Sequence, residues 1–205
     1  MDENRKEELG MFQEIRAGLG VLALFTLLTG VLYPLVVTGG GQTLFPLQAG
    51  GSLVEKEGKI IGSSLIGQNF TGDGYFHGRP SAAGNGYDAG NSSGSNLAPS
   101  SADLIKTVTA RVAALRESGD ARPVPVDLVT ASGSGLDPDI SVAAAKFQAG
   151  RVAEARGVTA AEVEKLIAKK TTPRSLGVFG EKRVNVLAIN QALDLLPSSV
   201  PSVAP

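Results

Sequence analysis

The stretch AGLGVLALFTLLTGVLYPLVV, residues 17–37, decides the fold. Fifteen of its 21 residues are apolar; the interruptions are Gly18, Gly20, Thr26, Thr29, Gly30 and Pro34. It opens a window of 38 residues, 17–54, without Asp, Glu, Lys, Arg or His, in a chain that is 19% charged. At about 1.5 Å per residue, about 20 apolar residues cross the ~30 Å hydrocarbon core of a bilayer. A helix that is apolar on every face has no side to offer to water. The reading is one membrane-spanning helix, 17–37, followed by a polar domain of about 150 residues. Two rivals are weaker. A cleaved signal peptide could use Val37-Thr38-Gly39 as its cleavage site, with Pro34 breaking the helix. Its hydrophobic region would, however, run only ~7–15 residues, and there is no Cys for a lipoprotein site. A buried core helix would run ~10–14 residues.

Arg5, Lys6 and Arg16 precede the helix, and the first basic residue after it is Lys56. Basic residues close to a span favour the cytoplasmic side, and acidic ones count little. The segment 1–16 is therefore expected in the cytoplasm and the domain 38–196 outside it, with Gly39, Gly40 and Gly41 ending the helix. From Glu55 onward there are 16 basic and 15 acidic residues, so no electrostatic footprint for nucleic acid exists. No Cys is present, which excludes disulfides and thiolate metal sites. A domain of this length holds one core, and no internal repeat is visible.

The domain changes texture along its length. Ser52-Leu53-Val54 and Lys59-Ile60-Ile61 flank Glu55-Lys56-Glu57-Gly58 as a hairpin. Residues 67–101 are then 18 of 35 Gly, Ser or Asn, a density that blocks regular structure. The same stretch holds Phe70, Tyr75, Phe76 and Tyr87, four of the chain's ten aromatics. A flexible linker has few rings, so an ordered, functional loop clamped by them is expected. Ser101 caps a helix with the stripe Leu104, Ile105, Val108, Val112 and Leu115, stopped by Gly119. Residues 124–130 read as a short strand, with Pro125 pointing to an edge strand or a strand start. Ser141 caps a helix that ends at Arg156-Gly157. Thr159 and Glu162 form a capping box ahead of Val163, Leu166 and Ile167. Asn185 opens a last helix with Leu187, Leu193 and Leu196. The tail 197–205 is Ser/Pro/Val/Ala-rich and expected to be disordered. The fold class is α+β: a single N-terminal transmembrane helix followed by one extracytoplasmic α+β domain.

The reactive motifs are thin. Gly90-Asn91-Ser92-Ser93-Gly94 matches the nucleophile elbow, which needs a strand before it and a helix after it. Residues 85–89 are no strand, and His77 is the only imidazole that could serve Ser92 as a base. A signal-anchored extracytoplasmic serine hydrolase using Ser92 and His77 is the alternative reading. A single His also removes the usual imidazole metal sites. There is no Walker A motif, because Gly58-Lys59 is followed by Ile60. Asp127, Asp137 and Asp139 lack EF-hand spacing, and Asp137-Pro138-Asp139-Ile140-Ser141 reads as a turn into a helix N-terminus. Thr38-Gly39-Gly40-Gly41-Gln42 faintly resembles the ABC-transporter signature loop, but glycines alone are weak evidence for phosphate binding.

An ordered series of short segments is more specific. It runs through Tyr33-Pro34-Leu35, Thr38-Gly39-Gly40-Gly41-Gln42, Ile61-Gly62-Ser63 with Leu65-Ile66-Gly67-Gln68, and Tyr75-Phe76-His77-Gly78-Arg79-Pro80-Ser81-Ala82-Ala83. It continues with Ser93-Gly94-Ser95-Asn96-Leu97, Pro125-Val126-Asp127-Leu128-Val129-Thr130, and Ser132-Gly133-Ser134-Gly135-Leu136-Asp137-Pro138. Arg151-Val152-Ala153, Ala155-Arg156-Gly157, Gly180 and Val184-Asn185-Val186-Leu187 close it. Over roughly residues 15–196 the chain strongly resembles the C subunit of the Kdp-type potassium-transporting ATPase.

The resemblance implies a single-pass protein of the bacterial inner membrane that is not itself an enzyme. Its partners would be a channel-like potassium-translocating A subunit and a P-type ATPase B subunit, besides membrane lipid. It would be needed for assembly and activity of a high-affinity, ATP-driven potassium uptake complex. The family is also described as a catalytic chaperone that raises the ATP affinity of the B subunit. No tightly bound cofactor or metal is implied; ATP is the one candidate ligand. Within Ala145-x-x-Gln148-x-x-Arg151-Val152-Ala153, which matches the family's pattern, Gln148 and Arg151 are the residues to connect with it. At i, i+3 they share a helix face, where the plain alternative is a solvated surface. Candidate partner contacts are the small residues Gly18, Gly20, Thr26, Thr29 and Gly30 of the span, which permit close helix approach in lipid. The loop residues Tyr75, Phe76, His77 and Arg79 are candidates for the external mouth of the channel-like subunit, with Arg79 pairing to a partner carboxylate or carbonyl.

Overall fold

The computed structural model describes residues 3–117 and 120–196. The expected stop at Gly119 and the expected disorder of 197–205 lie outside them. The chain divides into two compact units, one up to Ser52 and one from Leu53.

The first unit is a continuous helical run: α1 (Glu3–Leu27), a π-helical turn (Leu28–Leu32) and α2 (Tyr33–Leu44). The π turn has a local cause. Pro34 has no N–H to offer the carbonyl of Gly30, and its ring crowds that carbonyl. Widening the preceding turn relieves the clash: the Tyr33 N–H bonds to the Leu28 carbonyl, five residues back. The helix does not end at Gly39–41, as the sequence led us to expect. Three glycines cost about 1 kcal/mol each against alanine, but ending the helix there would release backbone groups with no other partner. The stop is set by Pro46, which disfavours helical geometry at the residue before it. Phe45 leaves the helix (φ −138°, ψ 57°), and its N–H closes on the Gly41 carbonyl. Pro46 then starts the short α3 (Pro46–Ala49). From Gly10 to Leu44 the helix is 35 residues of mean hydropathy 2.2 in its most apolar window, with none of that window buried against protein. At 1.5 Å per residue that is about 50 Å, more than enough to cross a membrane.

In the second unit, β1 (Leu53–Lys56) and β2 (Lys59–Ser63) form the expected antiparallel hairpin. Glu57 (φ 53°) and Gly58 (φ 77°) both take positive φ, the tight turn whose twist suits two strands. After the long loop, α4 (Ala102–Arg116) starts at Ser101, whose hydroxyl accepts from the Leu104 N–H. Its stripe is weaker than its spacing suggested: no residue of α4 is buried, and Ile105 is exposed. Only Leu115 of the stripe packs against the core.

Residues 124–130 are not a strand. Val126–Leu128 form a 3₁₀ turn. Thr130 bonds back to the Val126 carbonyl through both its N–H and its hydroxyl, and Arg111 takes the Val129 carbonyl at 2.9 Å. With these groups satisfied locally, the β-branched residues have no strand edge to join. The strand lies further on, at β3 (Asp139–Ser141), inside the segment expected to be only a turn. β3 and β4 (Thr171–Thr172) flank β5 (Arg183–Asn185) in an antiparallel three-stranded sheet ordered β3-β5-β4.

Three helices pack on this sheet. α5 (Val142–Arg156) is capped by Ser141 and ends at Gly157 in the left-handed region (φ 65°). α6 (Ala160–Lys170) begins with the Thr159/Glu162 capping box, both of its bonds present. α7 (Val186–Asp194) is capped by Asn185. The core is Ile140, Val152, Val163, Ile167, Val184, Ile189 and Leu193, and one loop residue, Phe76, is buried among them. Ala144, Ala145, Ala149 and Ala153 are buried along α5.

Candidate functional site: a loop held by its backbone

The loop of residues 72–79 has almost no secondary structure, yet successive carbonyls in it are taken by side chains of α5 and α7. Arg151 donates to the Asp73 carbonyl at 2.6 Å and to the Tyr75 carbonyl at 3.0 Å. Arg156 donates through Nε to the Gly74 carbonyl. Asn190 holds Phe76: its Oδ1 accepts from the Phe76 N–H (2.8 Å), and its Nδ2 donates to the Phe76 carbonyl (2.9 Å). Gln148 does the same at the next residue, accepting from the His77 N–H (2.8 Å) and donating to the His77 carbonyl (3.0 Å). Each amide thus supplies what a neighbouring strand would have supplied.

Side chains complete the grip. The Tyr75 hydroxyl donates to Asp194 at 3.0 Å, and its ring lies under the Arg156 guanidinium, 4.6 Å from its centroid. Asp194 also accepts from Arg156 (3.0 Å) and Lys56 (3.2 Å). Burial alone would raise the Asp194 carboxyl, but the bonds from Arg156, Lys56 and Tyr75 outweigh it and hold it below the usual range. The His77 imidazole is pushed down by burial and then by the nearby Arg151 charge; its Nε2 faces the Gly72 carbonyl at 3.1 Å. Arg79 pairs with Asp137 at 3.0 Å. The Tyr87 hydroxyl donates to the Arg79 carbonyl at 2.6 Å, and its N–H donates to Ser81 Oγ at 2.7 Å. Burial, then Asp137, raises the Tyr87 phenol. A Cβ at Gly78 would collide with that hydroxyl, so the approach requires glycine there.

Beside the loop lies a cleft of about 880 Å³ whose wall includes His77, Arg79, Tyr87, Arg122, Phe147 and Arg151. Its cations have partners within the chain: Arg79 with Asp137, although the buried Arg79 Nε finds no acceptor among the described residues, Arg151 with the loop carbonyls, and Arg122 with Asp120 while stacked 5.1 Å over Phe147. Hydrogen bonds from Arg122 lower the Asp120 carboxyl to about 2.

The family-level comparison agrees with the sequence. The model of the family described as "KdpC: K+-transporting ATPase, c chain" matches residues 15–195. The chain belongs to the KdpC family. A potassium-transporting ATPase KdpC subunit of Rhodospirillum rubrum is 57% identical over 186 residues, covering 90% of this chain and 96% of the relative. That of Gemmatimonas aurantiaca is 54% identical over 195 residues, covering 94% and 98%. That of Mycobacterium tuberculosis is 52% identical over 189 residues, covering 91% and 100%. The family relationship, the α+β class and the long apolar helix stand as the sequence indicated.

The individual site residues fare differently. Gln148 and Arg151 do share a face and touch, at 2.9 Å. That face is not solvated, since Gln148 is only 5% exposed, and both side chains are directed at the loop. Phe76 is fully buried and stands in the core, not at a surface. Arg79 finds its carboxylate within this chain, in Asp137. Ser92 follows a 3₁₀ turn (Ala89–Asn91), not a strand; its hydroxyl donates to the Ser134 carbonyl at 2.9 Å, while His77 is engaged with Gly72. Gly18, Gly20, Thr26, Thr29 and Gly30 lie exposed on the helical run, and Thr29 Oγ donates to the Phe25 carbonyl. Asn190, Asp194 and Arg156 also hold the loop, and no motif in the sequence marks them for it. For Asn190 a signal existed: a lone amide among Val186, Leu187, Ile189 and Leu193, on the buried face of α7.

Proposed function

We propose that this chain is a non-catalytic accessory subunit of a high-affinity, ATP-driven potassium uptake complex. It would be required for assembly and activity of a channel-like subunit and a P-type ATPase subunit. The helical run of residues 10–44 anchors it in the bacterial inner membrane, with the N-terminus in the cytoplasm and the domain from Leu53 outside. Three basic residues before the span and none until Lys56 favour that orientation. The observation that carries the accessory reading is the grip on residues 73–77. Gln148, Arg151, Arg156 and Asn190 use their polar atoms to fix the chain's own backbone, an arrangement suited to presenting a rigid surface.

ATP fits this arrangement poorly. Phosphate is held by free N–H groups at a helix N-terminus or glycine-rich cradle, or by uncommitted Arg and Lys side chains; no such cradle lines the cleft among the described residues, and Arg79, Arg122 and Arg151 each pair with groups of this chain. A role in raising the ATP affinity of the ATPase subunit would therefore act through assembly, not through contact by Gln148. Deleting the gene and restoring it on a plasmid tests the reading. Growth at micromolar potassium and recovery of the two large subunits as one complex should both depend on it. Normal uptake by an assembled complex without this chain would refute it. Protease added outside intact spheroplasts should degrade the domain; full protection would refute the orientation.

A further inference from the structure

Between β4 and β5 the chain projects a small hairpin, residues 173–182, whose tip is apolar throughout. Leu176-Gly177-Val178-Phe179-Gly180 carries no polar side-chain atom. Leu176 is 90% exposed, Val178 70% and Phe179 65%, so the three large side chains find little cover in their own domain. Leu176 also sits at φ 53°, a conformation an L side chain rarely adopts. The domain itself gains nothing by holding a leucine there.

The backbone of the tip is satisfied from within. Ser175 and Phe179 exchange two hydrogen bonds at 2.9 Å; the Gly177 N–H bonds to the Arg174 carbonyl and the Val178 N–H to the Ser175 carbonyl. An apolar medium demands such closure of a polypeptide, because nothing there replaces the hydrogen bonds of water. The one acid of the hairpin is neutralised, since Arg174 grips both carboxylate oxygens of Glu181 at 2.7 and 2.8 Å.

Basic residues gather at the foot. Residues 169–183 contain Lys169, Lys170, Arg174, Lys182 and Arg183 against the single acid Glu181. Without this segment, the chain from Glu55 onward holds 11 basic and 14 acidic residues, so the hairpin is its positive pole. Lys169, Lys170 and Lys182 are exposed and enter no salt bridge among the described residues. At ~3.3 Å per residue, Lys182 stands at most about 10 Å behind Phe179. Interfacial elements sink about 5–10 Å into a bilayer, a depth that would leave the lysines among the headgroups.

We propose that the hairpin is a second membrane contact of this chain: Leu176, Val178 and Phe179 enter the acyl region of an anionic bilayer surface, and Lys169, Lys170 and Lys182 face its phosphate groups. The proposal rests on the reading of residues 10–44 as the membrane anchor. Only eight residues, 45–52, separate that helix from β1, a chain that reaches at most about 28 Å. The domain is therefore tethered at the bilayer, where even a weak contact is intramolecular. A tip without polar side chains offers a protein partner no side-chain hydrogen bond to read, and lipid tails need none. A second copy of this chain would set one basic foot against another.

The chain has no cysteine, so a single introduced one takes an environment-sensitive NBD dye without competition. Phe179→Cys and, separately, Val178→Cys are labelled in the full-length chain in nanodiscs of phosphatidylcholine and phosphatidylglycerol, alone and within the assembled complex. Ser100→Cys, at an exposed turn, reports the dye in water, and Leu24→Cys reports the anchor. We expect nitroxides on shallow acyl carbons to quench both tip positions and to spare the Ser100 position. Replacing Lys169, Lys170 and Lys182 by Gln should weaken the tip's partition into lipid roughly fivefold per lysine, and nanodiscs of phosphatidylcholine alone should weaken it similarly. A tip that stays unquenched while the Leu24 position is quenched would overturn this proposal and leave the anchor standing. An unquenched Leu24 position would overturn the anchor reading and the proposal with it. Quenching that disappears in the complex would mean that a protein subunit covers the tip, and quenching indifferent to the lysines would mean a purely apolar contact; either result would overturn the proposal.

Discussion

Asn190 occupies both backbone groups of Phe76, accepting from its N–H at 2.8 Å and donating to its carbonyl at 2.9 Å. A side-chain amide on a helix thereby takes the place of a missing strand. It sits in the core, with the Phe76 ring buried against the same helices. Replacing Asn190 by Leu would leave a buried N–H and a buried carbonyl without partners, at a cost of about 1–3 kcal/mol each. Asn190→Leu should therefore destabilise the full-length protein in detergent by about 2–4 kcal/mol. Asn190→Asp, which would set a buried carboxylate against the Phe76 carbonyl, should cost at least as much. Urea unfolding followed by circular dichroism measures both; a Leu variant as stable as wild type would remove Asn190 from this role.

What was legible in the sequence follows the range of the interaction. Caps at Ser101, Ser141, Thr159 and Asn185 are contacts within three residues, and all four form as the sequence indicated. The hairpin turn at Glu57-Gly58 is equally local. The structure departs from the sequence pattern where distant groups decide. Residues 124–130 have strand-like composition but no strand partner, because β5 is flanked by β3 and β4. Gly39, Gly40 and Gly41 suggest a helix stop, but the residue before Pro46 sets it. Gln148 and Arg151 were rightly placed on one face, but what they hold lies about 70 residues away in the chain, beyond the reach of any spacing rule.

His77 is the only imidazole in the chain, which makes its titration readable. Burial, then Arg151, holds its pKa below 6.5 in the folded state. As pH falls through 6.5 the unfolded chain takes up a proton that the folded one resists, so stability declines with acidification. Between pH 7.5 and 5.5 the unfolding free energy should fall with pH in wild type and stay nearly flat in His77→Asn. Equal slopes would mean that His77 is not held neutral by its surroundings.

The small residues of the membrane helix make a different demand. Gly30 lies in the π turn, and the space beside it is open within this chain. If that face packs on another helix, Gly30→Leu should reduce recovery of the complex in detergent severalfold, because close packing is what holds helices together in lipid. The level of the chain in the membrane should not change. Recovery and transport at wild-type levels would turn this face towards lipid.

Gln148 separates a structural role from a nucleotide role. Its Oε1 accepts from His77 and Arg151, and its Nε2 donates to His77. Gln148→Ala should therefore loosen the loop and cost about 1–3 kcal/mol of stability. Gln148→Glu keeps the acceptor and loses the donor, so it should cost less. The ATP concentration giving half-maximal hydrolysis by the assembled complex should move little in either variant when measured well below the melting temperature. Arg151→Ala should act in the same direction as Gln148→Ala, and the double variant should cost less than the sum, since both hold one loop. The opposite result would be a Gln148→Ala protein as stable as wild type that needs severalfold more ATP. That outcome would place the amide at the nucleotide after all, and the loop contacts would then be its resting arrangement.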